Sequence, residues 1–361
     1  MVLEFNTARA CDPRHPGTKE ATVTTAQLRD ELLTIAIHAV ASACRLTRQV
    51  QTHATHIRRQ LKEDQSPVTL ADYAAQAVVA RHLHEAFGGL ALVGEEDATA
   101  LRVDAAVPLL TELTALVQQE WPGADTRAVL DAIDLGNHDA TGSRYWTLDP
   151  VDGTKGFLRG GQYAVSLALI ERGQVVLGVL GCPNLSEDFS RAFDDPDPRG
   201  SIFYAMRRGG SWSVRADNPL GPARRLDTSR HDEIAAMRVC ESVEAAHSRL
   251  DDTARIVEYL GVRAAPARLD SQCKYAVIAR GQAEAYLRLP TRRDYVEKIW
   301  DHAAGMLLAE EAGAIVTDID GRPLDFNHGA GLSANRGIIC ATRACYRPLR
   351  QAITALGLFS N

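Results

Sequence analysis

Trp146-Thr147-Leu148-Asp149-Pro150-Val151-Asp152-Gly153-Thr154-Lys155-Gly156-Phe157 is the stretch that decides how this chain is read. An apolar strand ending in Trp146, Thr147 and Leu148 delivers Asp149 at its tip, Pro150 stiffens the exit, and Asp152 points back toward the same spot. Two converging hard oxygen ligands suit Mg²⁺, which is held by a few carboxylates together with waters and phosphate oxygens. Gly153 and Gly156 let the backbone approach a ligand, and the amides after Asp152 can face an anion if a helix or nest begins there. An ordinary Asp-Gly turn has the same composition. Taken alone, the stretch leaves both readings open.

Two further pieces have the same character. Leu90-Ala91-Leu92-Val93-Gly94-Glu95-Glu96 is a short apolar run that ends in glycine and paired acids. Ile299-Trp300-Asp301-His302-Ala303-Ala304-Gly305 sets an aspartate at the start of a helical pattern that continues through Met306, Leu307, Leu308, Ala309 and Ala312. Each has a plainer explanation: Glu95 and Glu96 as a solvated strand end, Asp301 as a helix N-cap.

Together and in this order, the three pieces resemble the inositol monophosphatase superfamily of Mg²⁺-dependent, lithium-sensitive phosphatases. Asp64 to Gln76, Asp270-Ser271-Gln272-Cys273-Lys274-Tyr275, Tyr286 to Pro290 and Tyr295 to Asp301 look like its bisphosphate nucleotidase branch. The resemblance runs from about Thr25 to the C-terminus. It implies an α+β fold, the layered α-β-α-β-α sandwich shared with fructose-1,6-bisphosphatase, and an active site between two halves.

Carried over residue by residue, the resemblance makes Glu95, Asp149 and the Val151 carbonyl a first metal site, with Asp149 bridging to a second formed by Asp152 and Asp301. Two or three Mg²⁺ ions are expected, and Li⁺, with Na⁺ as a second candidate, as an inhibitor at the second site. Asp72 and Thr154 form the catalytic pair that orients and deprotonates water; the plainer reading of Thr154 is a turn hydroxyl. Gly153, Thr154, His247, Ser271, Lys274 and Arg288 surround the substrate, with Ser242, Val243 and Glu244 alongside. Lys274 and Arg288 offer charge to the phosphate that is kept; without the family they read as surface charges.

The implied reaction is hydrolysis of the 3′-phosphate of adenosine 3′,5′-bisphosphate to AMP and phosphate, with 3′-phosphoadenylyl sulfate as a further substrate. The alternatives are an inositol polyphosphate 1-phosphatase or broad sugar-phosphate phosphatase, and a catalytically silent nucleotide-binding regulator on the same fold.

Composition sets the outer bounds. A chain of 361 residues and 39.2 kDa has room for two domains or one large layered unit. The net charge of -6 argues against a nucleic-acid polymer as partner, since Arg58-Arg59 and Arg207-Arg208 are short and scattered. The partner expected is a small-molecule bisphosphate nucleotide, with no membrane and no protein partner. Seven cysteines without a Cys-x-x-Cys pair suggest reduced thiols and a cytoplasmic setting.

Residues 1–20 read as a flexible extension, 21–228 as an α+β metal-binding domain and 229–361 as an α/β domain completing the site. Helices are expected over Thr25 to Gln60, Asp72 to Phe87, Val107 to Gln119, Thr126 to Ile133, Ala246 to Leu260, Ser271 to Ala279 and Trp300 to Ala312. A lid-like loop, Lys62 to Pro67, carries Gln65 where related nucleotidases have lysine. Strands are expected at Leu90 to Val93, Tyr145 to Leu148, Ala164 to Glu171, Gln174 to Cys182, Ile202 to Ala205 and Ser211 to Val214, in an antiparallel meander turning at Arg172-Gly173. Two more extended segments, Ala267 to Leu269 and Glu284 to Leu289, belong to the second half. Asp131 and Asp134 are read as a solvated helix face.

Overall fold

Gln174 follows Glu171 across a two-residue turn in which Arg172 and Gly173 both take positive φ, at 51° and 70°. That geometry matches the right-handed twist of the strands it joins. It sets the register of β3 (Ala164–Glu171) on β4 (Gln174–Cys182), both with the limits expected from alternation. The computed structural model describes residues 25–57, 67–243, 250–290 and 295–358. The N-terminal extension, the 62–66 part of the expected lid and His247 lie outside the described residues.

Around this hairpin grows a seven-stranded sheet in sequence order: β1 (Leu92–Gly94), β2 (Arg144–Asp152), β3, β4, β5 (Ser201–Met206), β6 (Gly210–Arg215) and β7 (Arg224–Leu226). The β1–β2 pair is parallel and the others antiparallel. One face carries α1 (Thr25–Ile57) and α2 (Pro67–Phe87), whose facing sides are rich in buried alanine, including Ala36, Ala39, Ala43, Ala71, Ala74 and Ala77. Small side chains let these two helices approach each other closely. The second helix starts at Pro67 rather than Asp72, as proline is suited to a first helical position. Asp72 therefore sits inside the helix. The segment between Glu96 and β2 folds into α3 (Val107–Val117) and α4 (Thr126–Asp134), the latter capped by the Asp125 carboxylate, which accepts from the Ala128 amide at 2.7 Å.

After β2 comes the short α5 (Thr154–Arg159). The second half holds β8 (Val239–Glu241), α6 (Leu250–Tyr259), β9 (Ala267–Arg268), α7 (Cys273–Ala279), β10 (Ala285–Arg288), α8 (Ala303–Glu311), β11 (Ile315–Thr317), β12 (Ile338–Ala341) and α9 (Arg343–Ala355). Its five strands run β11-β12-β10-β8-β9. Helices α7 and α8 lie between the two sheets, and α6 and α9 cover the outer face. The layers are α1 and α2, sheet, α7 and α8, sheet, α6 and α9, which is the expected α-β-α-β-α sandwich.

Strand β4 is gripped from both sides. A Cβ on Gly178 would lie 3.0 Å from the Ala304 backbone in α8, and one on Gly181 would lie 2.2 Å from Cys44 Sγ in α1. Helices seat this deeply only where the strand lacks side chains. Gly181→Ala is expected to cost about 1–3 kcal/mol by overpacking, read as a lower urea midpoint at unchanged slope. Gly89→Ala, with nothing within 4 Å of its added Cβ, is expected to leave the midpoint in place.

Candidate active site

The end of β2 departs from regular pairing where the chemistry is expected. Asp149 pairs with Ser166 but Asp152 with Ala164, so one extra residue bulges out around Pro150 and Val151. A bulge re-aims side chains at a strand end, and here it accompanies two acids three positions apart. The Val151 amide donates to Asp149 Oδ1 at 3.1 Å. Gly153 follows with φ 89°, a left-handed turn that opens α5 at Thr154. A Cβ on Gly153 would come within 2.8 Å of Ser271 Cβ, so glycine is required for the 270–272 segment to lie against this turn. Ser271 itself has φ 67°, and the next amide, that of Gln272, donates to Asp152 Oδ2.

Glu95 arrives from β1. The backbone of the next residue, Glu96, is held by the buried Gln76 side chain, which donates to the Glu96 and Ile133 carbonyls and accepts from the Glu96 amide at 3.1 Å, and so fixes the strand end that carries Glu95. Gly94 leaves room for this carboxamide, as a Cβ there would lie 2.5 Å from Gln76 Oε1. Asp134 is not a solvated acid: it accepts from the Ala98 amide at 2.9 Å, from Asn137 and from Arg102. It therefore ties the insertion to the strand end that carries Glu95. Asp131 does sit on the outer face, 3.6 Å from Arg127.

Asp301 enters from the second half, ahead of α8. The N-cap position belongs to His302, so Asp301 does not cap this helix. Asp149 lies close enough to act on both Glu95 and Asp301. Burial and then Glu95, Asp152, Asp301 and Asp72 push the Asp149 carboxyl well above its usual range. Asp152 is raised to about 6 by burial and Asp301. Glu95 is raised to about 7 by the surrounding protein first and then by Asp301 and Glu96, with Asp149 opposing. Burial, Glu96 and Glu95 raise Asp72, which α2 brings beside α5 and its exposed Thr154.

Opposite the acids stand two cations. Lys274 is buried, not a surface charge: its ammonium donates to Ser242 Oγ and the Leu269 carbonyl, both at 3.3 Å, and lies 5.3 Å from the Tyr286 ring centre. Burial lowers its pKa, while Asp152 and Asp270 oppose the shift. Arg288 donates through Nε to Glu297 at 3.0 Å and so is already partnered. Glu297 also meets His302 Nε2 at 3.3 Å, and His302 Nδ1 meets the Tyr275 hydroxyl at 2.9 Å. Glu297, held by His302 and Arg288, is lowered to about 2 despite its burial. A crevice lined by Ser242, Thr253, Tyr286 and Arg288 adjoins these groups.

The residues present fit divalent cations. Crowded carboxylates that raise one another's pKa are the arrangement a hard cation relieves, and the donors are all oxygen. Glu297, Asp301 and His302 bring ligand atoms within 4.8 Å of one another. Both ring nitrogens of His302 are engaged, so His302 and Glu297 serve as a hydrogen-bonded support and Asp301 alone of the three remains to face a cation. Gln76, Gln272, Glu297 and His302 had no role in the sequence reading, and only their tertiary partners reveal one. A wide groove lies elsewhere, near the start of α1, and there Arg207 pairs with Glu310 at 2.6 Å and Arg144 with Glu171 at 3.1 Å.

The sequence matches the family model described as the inositol monophosphatase family over residues 28–350. A protein of Schizosaccharomyces pombe named 3′(2′),5′-bisphosphate nucleotidase is 40% identical over 306 residues, covering 82% of this chain and 86% of that protein. One of the same name from Oryza sativa is 41% identical over 336 residues, covering 89% and 93%. The solved structure of an inositol monophosphatase from Anabaena superposes with a TM-score of 0.58 at 20% identity, covering 91% of this chain and 97% of that one. It shares the fold.

Proton linkage gives the acid cluster a measurable sign. Asp152 near 6 and Glu95 near 7 stand above their ordinary values of 3.8 and 4.5, so the cation-free folded chain holds more protons than the unfolded one between those limits. Stability must fall as pH rises through that window. The melting temperature of EDTA-treated protein is expected to be lower at about pH 8 than at about pH 5.5, with Mg²⁺ restoring it at the higher pH. Asp149→Asn should flatten the dependence; an unchanged slope in that variant would mean the acids do not crowd one another.

Proposed function

The chain belongs to the inositol monophosphatase family, and from that premise we propose that it is a Mg²⁺-dependent 3′(2′),5′-bisphosphate nucleotidase. It hydrolyses the 3′-phosphate of adenosine 3′,5′-bisphosphate to AMP and inorganic phosphate. The observation that carries this reading is a crowded acid cluster, Asp149 with Glu95, Asp152 and Asp301, within electrostatic reach of two largely buried cations, Lys274 through Asp152 and Arg288 through Asp301. Relatives at 40% and 41% identity bear the nucleotidase name.

Glu95, Asp149 and the Val151 carbonyl would hold one ion, and Asp149, Asp152 and Asp301 would hold the other. Bound there, the ions supply a water of lowered pKa and neutralise charge on the departing oxygen. The remaining work belongs to the chain. Thr154 hydrogen-bonds the attacking water and passes its proton to Asp72, whose burial favours taking it up. The water oxygen bonds to phosphorus, the bond from phosphorus to the ribose 3′ oxygen breaks, and that oxygen leaves as a hydroxyl by taking a proton from a solvent water, while Asp72 gives the proton it took up back to solvent. Gly153 and Ser271 line the approach of the transferred group. Lys274 and Arg288 hold the 5′-phosphate, and the sulfated nucleotide fits the same pair. Li⁺, with Na⁺ as a second candidate, would compete at the Asp152–Asp301 site. The described cysteines are buried and unpaired, which suits a reducing cytoplasm, and no helix among the described residues is long and apolar enough to cross a membrane.

Phosphate release with Mg²⁺, with and without Li⁺, tests this on adenosine 3′,5′-bisphosphate, inositol 1,4-bisphosphate, inositol 1-phosphate and fructose 1,6-bisphosphate in parallel. A lithium-sensitive preference for the nucleotide is expected. Lys274→Ala should raise KM for the nucleotide about tenfold or more, the worth of one charge-assisted hydrogen bond. Asp152→Asn should lower kcat by about a hundredfold or more. Preference for an inositol or sugar phosphate, or an intact KM in Lys274→Ala, would overturn the nucleotide assignment and leave the metal chemistry standing. No release from any substrate would favour the silent regulator.

A further inference from the structure

Gln272 is buried between the two segments that carry Asp152 and Asp301, and every polar group it owns apart from its carbonyl bridges them. Its amide N–H donates to Asp152 Oδ2. Its side-chain Nε2 donates to the Trp300 carbonyl at 2.8 Å, and its Oε1 accepts from the Gly305 amide at 3.1 Å. Trp300 precedes Asp301 and Gly305 follows it in the first turn of α8, so one carboxamide holds the backbone on both sides of that aspartate.

The surroundings are cut to this bracket. Ser271 takes a left-handed φ of 67° immediately before it. A Cβ on Gly305 would lie 2.3 Å from the Tyr275 ring and 3.0 Å from Gln272 Oε1. Ser166, the register partner of Asp149, gives the Trp300 carbonyl a second bond at 3.2 Å. The Asp301 backbone is thereby referenced both to the Asp152 turn and to the Asp149 strand.

We propose that Gln272 is a positioning residue that fixes the separation of Asp152 from Asp301 and thereby sets the affinity of the second cation site relative to the first. The inference rests on the two-site metal reading above. Groups that orient metal ligands from behind are worth about 10- to 100-fold in metal affinity when removed. A residue serving only to fill the core would lower stability without separating the two sites, because Glu95 is held independently through Gln76.

The test is Mn²⁺ titration of metal-free protein, following free Mn²⁺ by electron paramagnetic resonance, for the parent, Gln272→Ala and Gln272→Met. The methionine variant is neutral and keeps the length of the side chain but loses the donor to the Trp300 carbonyl and offers Gly305 only a weak sulfur acceptor, so it reads the bracket even if the alanine variant fails to fold. Expected is a weaker second Mn²⁺ by about 10- to 100-fold, a first site within about twofold of the parent, and a cooperative melt. The Mg²⁺ needed for half-maximal activity should rise by a similar factor while KM for the nucleotide stays nearly constant. Unchanged affinities, or equal weakening at both sites in a folded variant, would overturn the role of Gln272. A parent that binds no Mn²⁺ would overturn the metal reading itself and this inference with it.

Discussion

Repulsion among the acids at the end of β2 is the constraint on which the rest of the structure depends. Asp149 and Asp152 from β2, Glu95 from the end of β1 and Asp301 from the second half crowd one spot; Glu95, Asp152 and Asp301 push Asp149 toward protonation, and Asp301 does the same to Asp152 and Glu95. Left to side-chain freedom, such groups would swing apart. They are held because they are fastened from behind, by Gln76 for the residue after Glu95, by the Gln272 amide for Asp152, and by Gln272 and Ser166 for the residue before Asp301. Stability elsewhere offsets the local cost, as is general for functional sites.

The fasteners are neutral carboxamides and hydroxyls, while charge is kept for the facing wall. A buried carboxylate in the position of Gln272 would add to the repulsion, and a buried cation there would compete with the ions the acids suit. Glu297 does a related task on the other side. It gives Arg288 a fixed partner, orients His302 and ties both to the Tyr275 hydroxyl. The polar groups at this junction thus act as a connected network, in which each bond limits the freedom of the next.

Much of this was legible in the sequence where local chemistry decides structure. Alternation and a two-residue turn give β3 and β4 to the residue, and the acids that meet at the site were all singled out from their strand-end and helix-start settings. What stayed hidden had physical reasons. The helix α5 is one and a half turns between glycines, too short for a period to show. Strands β8, β11 and β12 are three- or four-residue runs with no alternation to read, and α9 carries Pro348 inside it. Burial of Lys274 and the pairing of Arg288 with Glu297 depend on distant elements, as does the tie that Asp134 makes to Ala98.

The missing side chains of Gly178 and Gly181 link packing to chemistry. Strand β4 is thin because α1 and α8 press on opposite faces, and the contact on the α8 side is backbone to backbone at Ala304, three residues beyond Asp301. Added bulk there cannot be absorbed by a rotamer change. It has to displace the helix, and the helix start follows directly on Asp301. Mutational tolerance in this core is therefore asymmetric: a methyl group that would be a modest packing fault in an ordinary sheet becomes, at position 178, a shift in where one of the four crowded acids stands, so the middle of a strand is bound by the same requirement as the candidate site.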